Sequence, residues 1–355
     1  MQILSIGAEE FQHQFTVSEI NKMQIISVNE RTFSLAQSYL LPIEQKCVFL
    51  SQLVRKHSPD IYIILDKNPD NSNNSDKSSQ LINLQNVLGV FYLNKSLFHC
   101  FKDTSKVNIA DFTPLFYQIL TQNQASIKNI SGEKDGTDFF LEVIRNLSEN
   151  PDSTFPKKFN VKQINDYKLM VLPHQQFQQS QNQSNHQNNQ SLQSELLKYS
   201  SNLKSSAQKL YNDDFIMRCT ENDMENLFEI ERNYLQDEVA VRGQKVSDAE
   251  VSMRLRQILK NQLYFALISD DRIVSKAYTN AIGKNWIQIG GVYTLFQFRQ
   301  NGYAALTVST LCKRILQAHK NISLFVKTKN LPAQQLYKKI GFSFHSDYKI
   351  VYFEL

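Results

Sequence analysis

The chain has no apolar run approaching the roughly 18 residues of a membrane span, so no membrane partner is expected. It also lacks any C-x-x-C pair. Its four cysteines (Cys47, Cys100, Cys219 and Cys312) are scattered, which argues against a disulfide framework or a zinc site and for buried free thiols in a reducing compartment. No metal site is expected. The opening MQILSIGAEEFQHQF has no basic start ahead of an apolar core, so no secretory leader is expected either. A cytoplasmic or nuclear location follows as the expectation. The net charge of +5 over 355 residues is mild and unclustered. It would attract an acidic ligand but does not point to nucleic acid, which needs Lys and Arg gathered on one face.

A hydrophobic fraction of 41 % and a charged fraction of 21 % are those of an ordinary globular protein. At this length two domains are expected. One segment departs from the rest: "QQFQQSQNQSNHQNNQSLQSELLKYSSNLKSS", from Gln175 to about Ser206, is dominated by Gln, Asn and Ser. It has too few apolar residues to offset the entropy of ordering and reads as a flexible linker. The expected division is therefore a divergent N-terminal α/β domain over 1–173, a linker over 174–211 and a second domain over 212–355. A shorter polar tract, Asp66–Gln80, sits between the strand-like runs "DIYIILD" and "NVLGVFYL" and reads as an expanded hairpin loop.

In the last part, "TENDMENLFEIERNYLQDEVA" carries apolar residues at helical spacing, with Thr220 and Asp223 as a capping box. A second helix begins after Ser247. Three antiparallel strands follow ("LYFALIS", "RIVSKAYTNAI" and "NWIQIGGVYT"), then a helix over 304–318, a strand over 322–326, a helix over 332–340 and a final strand. This order predicts a mixed α+β layer with one parallel crossover. The first part echoes it: a helical "IEQKCVFLSQLVRKH" precedes a hairpin, and "ASIKNISGEKDGTDFFLEVIRN" reads as strand, glycine turn and helix. A degenerate internal repeat is expected.

Within "IGGVYTLFQFRQNGYAALTVSTLCKRIL" (289–316), a strand contains a double glycine and leads across Arg299-Gln300-Asn301-Gly302-Tyr303-Ala304 into a helix. Glycines inside a strand suggest a bulge or a closely approaching ligand. Small residues at a helix N-terminus leave amide N–H groups and a positive dipole end open to a diphosphate. The loop resembles the Gln/Arg-x-x-Gly-x-Gly/Ala signature of the GNAT superfamily of acetyl-CoA-dependent N-acetyltransferases, met by Arg299, Gly302 and Ala304. Downstream, "SLFVKTKNLPAQQLYKKIGF" is similar to the family's second signature. The resemblance spans about 215–355 and implies a central, mostly antiparallel sheet flanked by helices. It also implies, more loosely, a tandem arrangement with the divergent first half.

The resemblance implies roles for matched positions. Val292, Tyr293 and Thr294 would offer strand backbone to the pantetheine arm of acetyl-CoA. The amides of Gln300, Asn301, Gly302, Tyr303 and Ala304 would hold the pyrophosphate, aided by Arg299. Asn330 would touch pantetheine, or else simply cap the next helix. Tyr337 would sit beside the CoA sulfur and hydrogen-bond the departing thiolate; the competing reading is core packing beside Phe342. With ordinary values near 10 for a phenol and 8.5 for a thiol, full proton transfer would be uphill by roughly 2 kcal/mol.

Many family members carry a glutamate on the strand before the loop, but Trp286-Ile287-Gln288-Ile289 contains no carboxylate. An ammonium acceptor must lose a proton before it attacks. Glu238 is the candidate base, against a reading in which Glu238 and Asp237 are solvated charges at a helix end. Arg242 and Lys245 are candidates for attracting an acidic substrate. His319 and His345 read as surface or capping residues. The implied function is acetyl transfer to an amine, small molecule or protein; the alternative is a GNAT-fold module that binds acyl-CoA or a protein without chemistry. In the first half, "ISGEKDGTDF" (130–139) has two glycines at the wrong spacing for a diphosphate loop, so that half is expected to be non-catalytic.

Overall fold

The computed structural model describes residues 22–67, 83–124, 126–149, 160–175, 215–241 and 243–354. Most of the tract 66–80, nearly all of the expected linker, and Arg242 lie outside them. The chain divides into two compact units, one of Met1–Ile43, Lys56–Ile164 and Lys349–Leu355, the other of Glu44–Arg55 and Asn165–Tyr348. This division does not follow the linear split at 173 and 212, because Glu44–Arg55 and the residues from Asn165 pack with the C-terminal sequence.

The first unit holds β1 (Met23–Ser27), α1 (Phe33–Leu40), β2 (Ile61–Asp66), β3 (Val87–Leu93), β4 (Ser96–Phe101), α3 (Ile109–Gln122), β5 (Asn129–Glu133) and α4 (Lys134–Glu149). The helix α2 (Val48–Arg55), between α1 and β2 in sequence, belongs to the second unit. Strands β1 to β4 pair antiparallel in sequence order, and β5 joins β4 in parallel, Ser96 opposite Asn129. The buried run of β2, apolar on both faces, fits a covered strand. The core is aromatic: Phe91, Phe112, Phe116 and Phe140 are wholly buried and meet mostly edge to face.

The expected glycine turn near 132 is absent. Gly132 lies inside β5 and Gly136 inside α4. A Cβ at Gly132 would stand 2.1 Å from the ring of His99, and one at Gly136 would stand 2.5 Å from it. These glycines make room for a buried imidazole, which leaves no turn for them to form.

The second unit contains β6 (Val161–Leu172) from Asn165 onward, β7 (Phe215–Cys219), α5 (Met224–Tyr234), α6 (Asp248–Asn261), β8 (Tyr264–Ser269), β9 (Arg272–Ile282), β10 (Trp286–Thr294), α7 (Tyr303–Gln317), β11 (Asn321–Lys327), α8 (Leu331–Ile340) and the first half of β12 (Ser343–Phe353). Strands β6, β11, β10, β9, β8 and β7 lie side by side in that order. Only β10 and β11 run parallel; β6–β11, β10–β9, β9–β8 and β8–β7 are antiparallel. Sequence periodicity anticipated β8 to β12 but missed β7, a five-residue strand ahead of the first helix.

Local chemistry explains the turns. Asp270 and Asp271 adopt φ of 50° and 53°, the left-handed pair that closes a tight hairpin between β8 and β9. Ser247 accepts from the Glu250 amide while Glu250 accepts from Ser247, the reciprocal cap that starts α6. The Asp223 carboxylate accepts from the Thr220 N–H at 2.7 Å. Gly341 at φ 110° ends α8. The fully buried carboxylate of Glu44 accepts from the amides of Lys284, Asn285 and Trp286 and from the Ser51 hydroxyl. That network makes a segment distant in sequence part of the second unit's framework.

Along the sequence, the elements from β7 to β12 repeat the order of those from β1 to β6: strand, two helices, three antiparallel strands, helix, parallel strand, helix, strand. All four cysteines are buried and free.

Candidate functional site

Parallel pairing of β10 with β11 runs from Trp286↔Asn321 to Ile289↔Leu324 and stops there. Beyond it β10 continues to Thr294, and β11 continues to Lys327 paired with β6. The two strands therefore part company at the double glycine. On its other side β10 advances from Gly290 to Tyr293 while β9 advances only from Tyr278 to Lys276, which is a bulge. Gly291 takes φ 59°, and a Cβ there would stand 1.9 Å from the Tyr278 ring. Both the conformation and the space require glycine.

The loop that follows ends in Gly302, at φ 82°, the N-cap of α7. Glycine brings no side chain to the cap, and no side-chain hydrogen bond replaces it. The first turn of α7 contains no acidic residue. Among the described residues, the amide donors and positive end of this fifteen-residue helix have no side-chain cap, and the β10 edge beside them has parted from β11. The Arg299 side chain turns back: its Nε donates to the Thr294 carbonyl at 3.1 Å, and its guanidinium lies near the Tyr293 and Phe296 rings. The Asn301 amide donates to the Phe298 carbonyl, and the Tyr303 hydroxyl meets Ser269 at 3.2 Å. Asn330 caps α8, its side chain accepting from the Ala333 N–H.

Tyr337, on α8, is 6 % exposed and meets Phe342 edge-on. Burial pushes its phenol well above the ordinary value, with Tyr234, Cys312 and Glu238 adding to the shift. The hydroxyl is thus a firmly protonated donor, and full proton transfer from it costs more than for an exposed phenol.

After α5 the backbone widens into a π-helical turn, Leu235–Val239. Such turns are rare and re-aim side chains. Here Asp237 accepts a 2.6 Å hydrogen bond from the Tyr293 hydroxyl on β10. Glu238 pairs with Lys327 at the end of β11: the ammonium donates to its carboxylate at 2.9 Å and to its carbonyl at 3.0 Å. The two neighbouring acids are tied to the two diverging strands. Burial, then Asp237, raises the Tyr293 phenol to about 12.

Behind this turn is a cluster the sequence reading missed. Lys276 and Glu231, each with no exposed side-chain area, pair at 2.6 Å. The ammonium lies 3.8 Å from the Tyr234 ring centroid and 4.7 Å from that of Tyr278, within cation–π range of both. Tyr264 donates to Glu231, and Arg254 stands 3.8 Å from it. Burial holds the Lys276 ammonium down at about 8, opposed by Glu231. Two signals were available: a lysine inside the apolar run "RIVSKAY", and a glutamate beside Ile230 on the helix that carries Leu227.

Residues 268–351 match the family model described as FR47-like protein. No curated protein matches the chain. Among solved structures, a Drosophila protein superposes with a TM-score of 0.53 at 9 % identity, covering 93 % of this chain and 98 % of that one. A tandem GNAT protein from the clavulanic acid biosynthesis pathway gives 0.49 at 8 %, with 93 % and 97 % covered. A protein from Clostridium acetobutylicum, described as a predicted acetyltransferase with acetyl-CoA, gives 0.31 at 22 %, with 37 % and 90 % covered. The likeness to the Drosophila protein is one of fold and extends over most of the chain. The FR47-like stretch runs from the end of β8 into β12. Among the described residues no helix is long and apolar enough to cross a membrane.

Proposed function

We propose that the second unit is an acetyl-CoA-dependent N-acetyltransferase. The observation that supports this most is the parting of β10 from β11 at a glycine bulge, directly before a helix whose N-terminus carries no protein cap. An extended pantetheine arm would pair with the free edge of β10 around Val292, and the pyrophosphate would accept from amides between Gln300 and Ala304. Arg299 serves the loop through Thr294. Asn330 keeps its amide nitrogen for pantetheine, since only its oxygen is used by the cap.

Acetyl-CoA supplies an activated thioester carbonyl. A neutral amine attacks that carbon, the C–S bond breaks, and the leaving thiolate accepts a hydrogen bond from Tyr337. The amine's proton must pass to a carboxylate or water. Glu238 remains a candidate base, yet Lys327 occupies one of its oxygens. Asp237 is held only by a neutral phenol and is exposed, so it joins Glu238 as the second candidate. A second reading, binding of acyl-CoA without turnover, is favoured by the absence of a carboxylate on β10 and by the Glu238–Lys327 pair.

Calorimetry with acetyl-CoA tests the site, because a ligand of the native state binds and stabilises by mass action. No heat and no thermal shift at millimolar acetyl-CoA would sink both readings. Release of CoA with a panel of amines then separates them. Comparing Asp237→Asn with Glu238→Gln in that assay identifies the base: the variant that loses the ascending limb of the pH–kcat/KM profile carried it.

A further inference from the structure

His174 and His319 stand outside the site described above, and neither has a role in it. His319 Nδ1 and His174 Nε2 are hydrogen-bonded at 3.3 Å, one nitrogen donating to the other, with the rings at 72° and their centroids 4.9 Å apart. Two imidazole nitrogens bound to one zinc-like ion at about 2.0–2.1 Å, subtending a tetrahedral angle, are separated by about 3.3–3.4 Å. We propose that this pair is a surface site for a borderline divalent cation of the zinc, nickel or copper type.

Both ligands are placed by backbone structure, so little ordering is left to be done on binding. His174 follows β6; its N–H donates to Asn321 Oδ1 at 2.9 Å, and Asn321 donates through its own N–H and side-chain amide to the Asn285 carbonyl. His319 follows the end of α7 at φ 54°, its N–H bonded to the Leu316 carbonyl. A cation would replace the proton the two nitrogens share in their hydrogen bond, and the exposed His319 ring is accessible to it. The neighbouring cation, Lys320, is directed away, its ammonium donating to the Lys284 carbonyl. Imidazole nitrogens suit zinc, nickel and copper, whereas calcium and magnesium prefer oxygen. Among the described residues no third His, Cys, Asp or Glu completes a cluster, so water would fill the remaining positions. The bound ion would link the end of β6 to the α7–β11 turn, within the second unit.

The test is calorimetry of untagged full-length protein with NiCl2 and with ZnCl2 at pH 7.5, followed by thermal melts with and without metal. One ion should bind with micromolar affinity and raise the melting temperature. Affinity should fall by about tenfold or more in His174→Ala and in His319→Ala, and the rise in melting temperature should vanish. His345→Ala, at another exposed histidine, should change neither. CaCl2 should give no heat. Absence of binding at millimolar nickel and zinc, or binding retained in both alanine variants, would overturn the proposal. The melt of each variant without metal confirms that it folds.

Discussion

The two halves of the molecule start the same helix in opposite ways. In the first, α3 follows β4 and is capped by Asn108, whose side chain accepts from the amides of Ala110 and Asp111; Asp111 places a further negative charge in the first turn. In the second, α7 follows β10 and begins at a left-handed glycine with no cap and no acid. One helix satisfies its own amides and dipole; the other carries no side-chain cap and no acid in its first turn. The strands before them differ likewise. β4 pairs with β3 without a register shift, whereas β10 bulges at two glycines. Where the first half does have paired glycines, at Gly132 and Gly136, the space is filled by His99. Two similar element orders thus differ at a few backbone positions, and the proposed acetyl-CoA site uses those of the second half.

Taking the halves apart should have the largest effect. A fragment of 212–355 lacks Glu44, whose carboxylate accepts four hydrogen bonds in the second unit, and lacks β6, which pairs with β11. Its thermal melt, followed by circular dichroism, should show no cooperative transition; a melt matching the full chain would overturn this. Making α7 resemble α3 comes next. Gly302→Glu adds a side chain at φ 82°, where L residues are strained by about 1–2 kcal/mol, and an anion where an anion should bind. Acetyl-CoA affinity should fall by at least about 100-fold with the fold retained, and an unchanged dissociation constant by calorimetry would locate the cradle elsewhere.

Tyr337→Phe keeps the ring against Phe342 and deletes the hydroxyl. Acetyl-CoA affinity should barely move, while turnover falls by roughly 10- to 1000-fold, as for loss of one hydrogen bond to developing charge. Lost stability alongside lost activity would assign Tyr337 to core packing. The smallest effects belong to the first half. Gly132→Ala forces a Cβ against His99 and should cost about 1–3 kcal/mol in denaturant melts, partly recovered in the double variant with His99→Ala.

His99 itself is buried, with Nε2 2.9 Å from the Thr137 hydroxyl, and burial holds it down at about 3. In the unfolded chain it titrates near 6.5, so the unfolded state binds the extra proton between those values. The stability contributed by the neutral ring is present above about pH 6.5 and is lost as pH falls toward 3, at up to about 1.4 kcal/mol per pH unit. His99→Gln should flatten that slope; an unchanged slope would assign the acid sensitivity to other groups.

Spacing alone made the second half legible. Alternation marked β8 to β10, the Asp270–Asp271 pair marked the hairpin, and Gly302 marked a strand-to-helix loop that the family resemblance reads as a diphosphate cradle. The π-turn was read as ordinary helix because its residues carry no local break signal, and the domain split was drawn in sequence order because Glu44 looks like any surface glutamate. The stretch 130–139 belongs to β5 and α4 and is no counterpart of that strand-to-helix loop. By element order, the counterpart of the 299–304 loop is the stretch ending at Asn108.

By itself, the sequence determined the strands and helices from α5 to β12, save the π-turn, and that two glycines and a helix start at Gly302 lie together, since these follow from neighbours within a few residues. Only the tertiary structure decided that Gly291 must admit the Tyr278 ring, that Asp237 and Glu238 reach different strands, and that Lys276 and Glu231 share a dry interior. Those outcomes depend on which residues meet across the sheet, and desolvation, cation–π contact and ion pairing act through distance in space, whatever the separation along the chain.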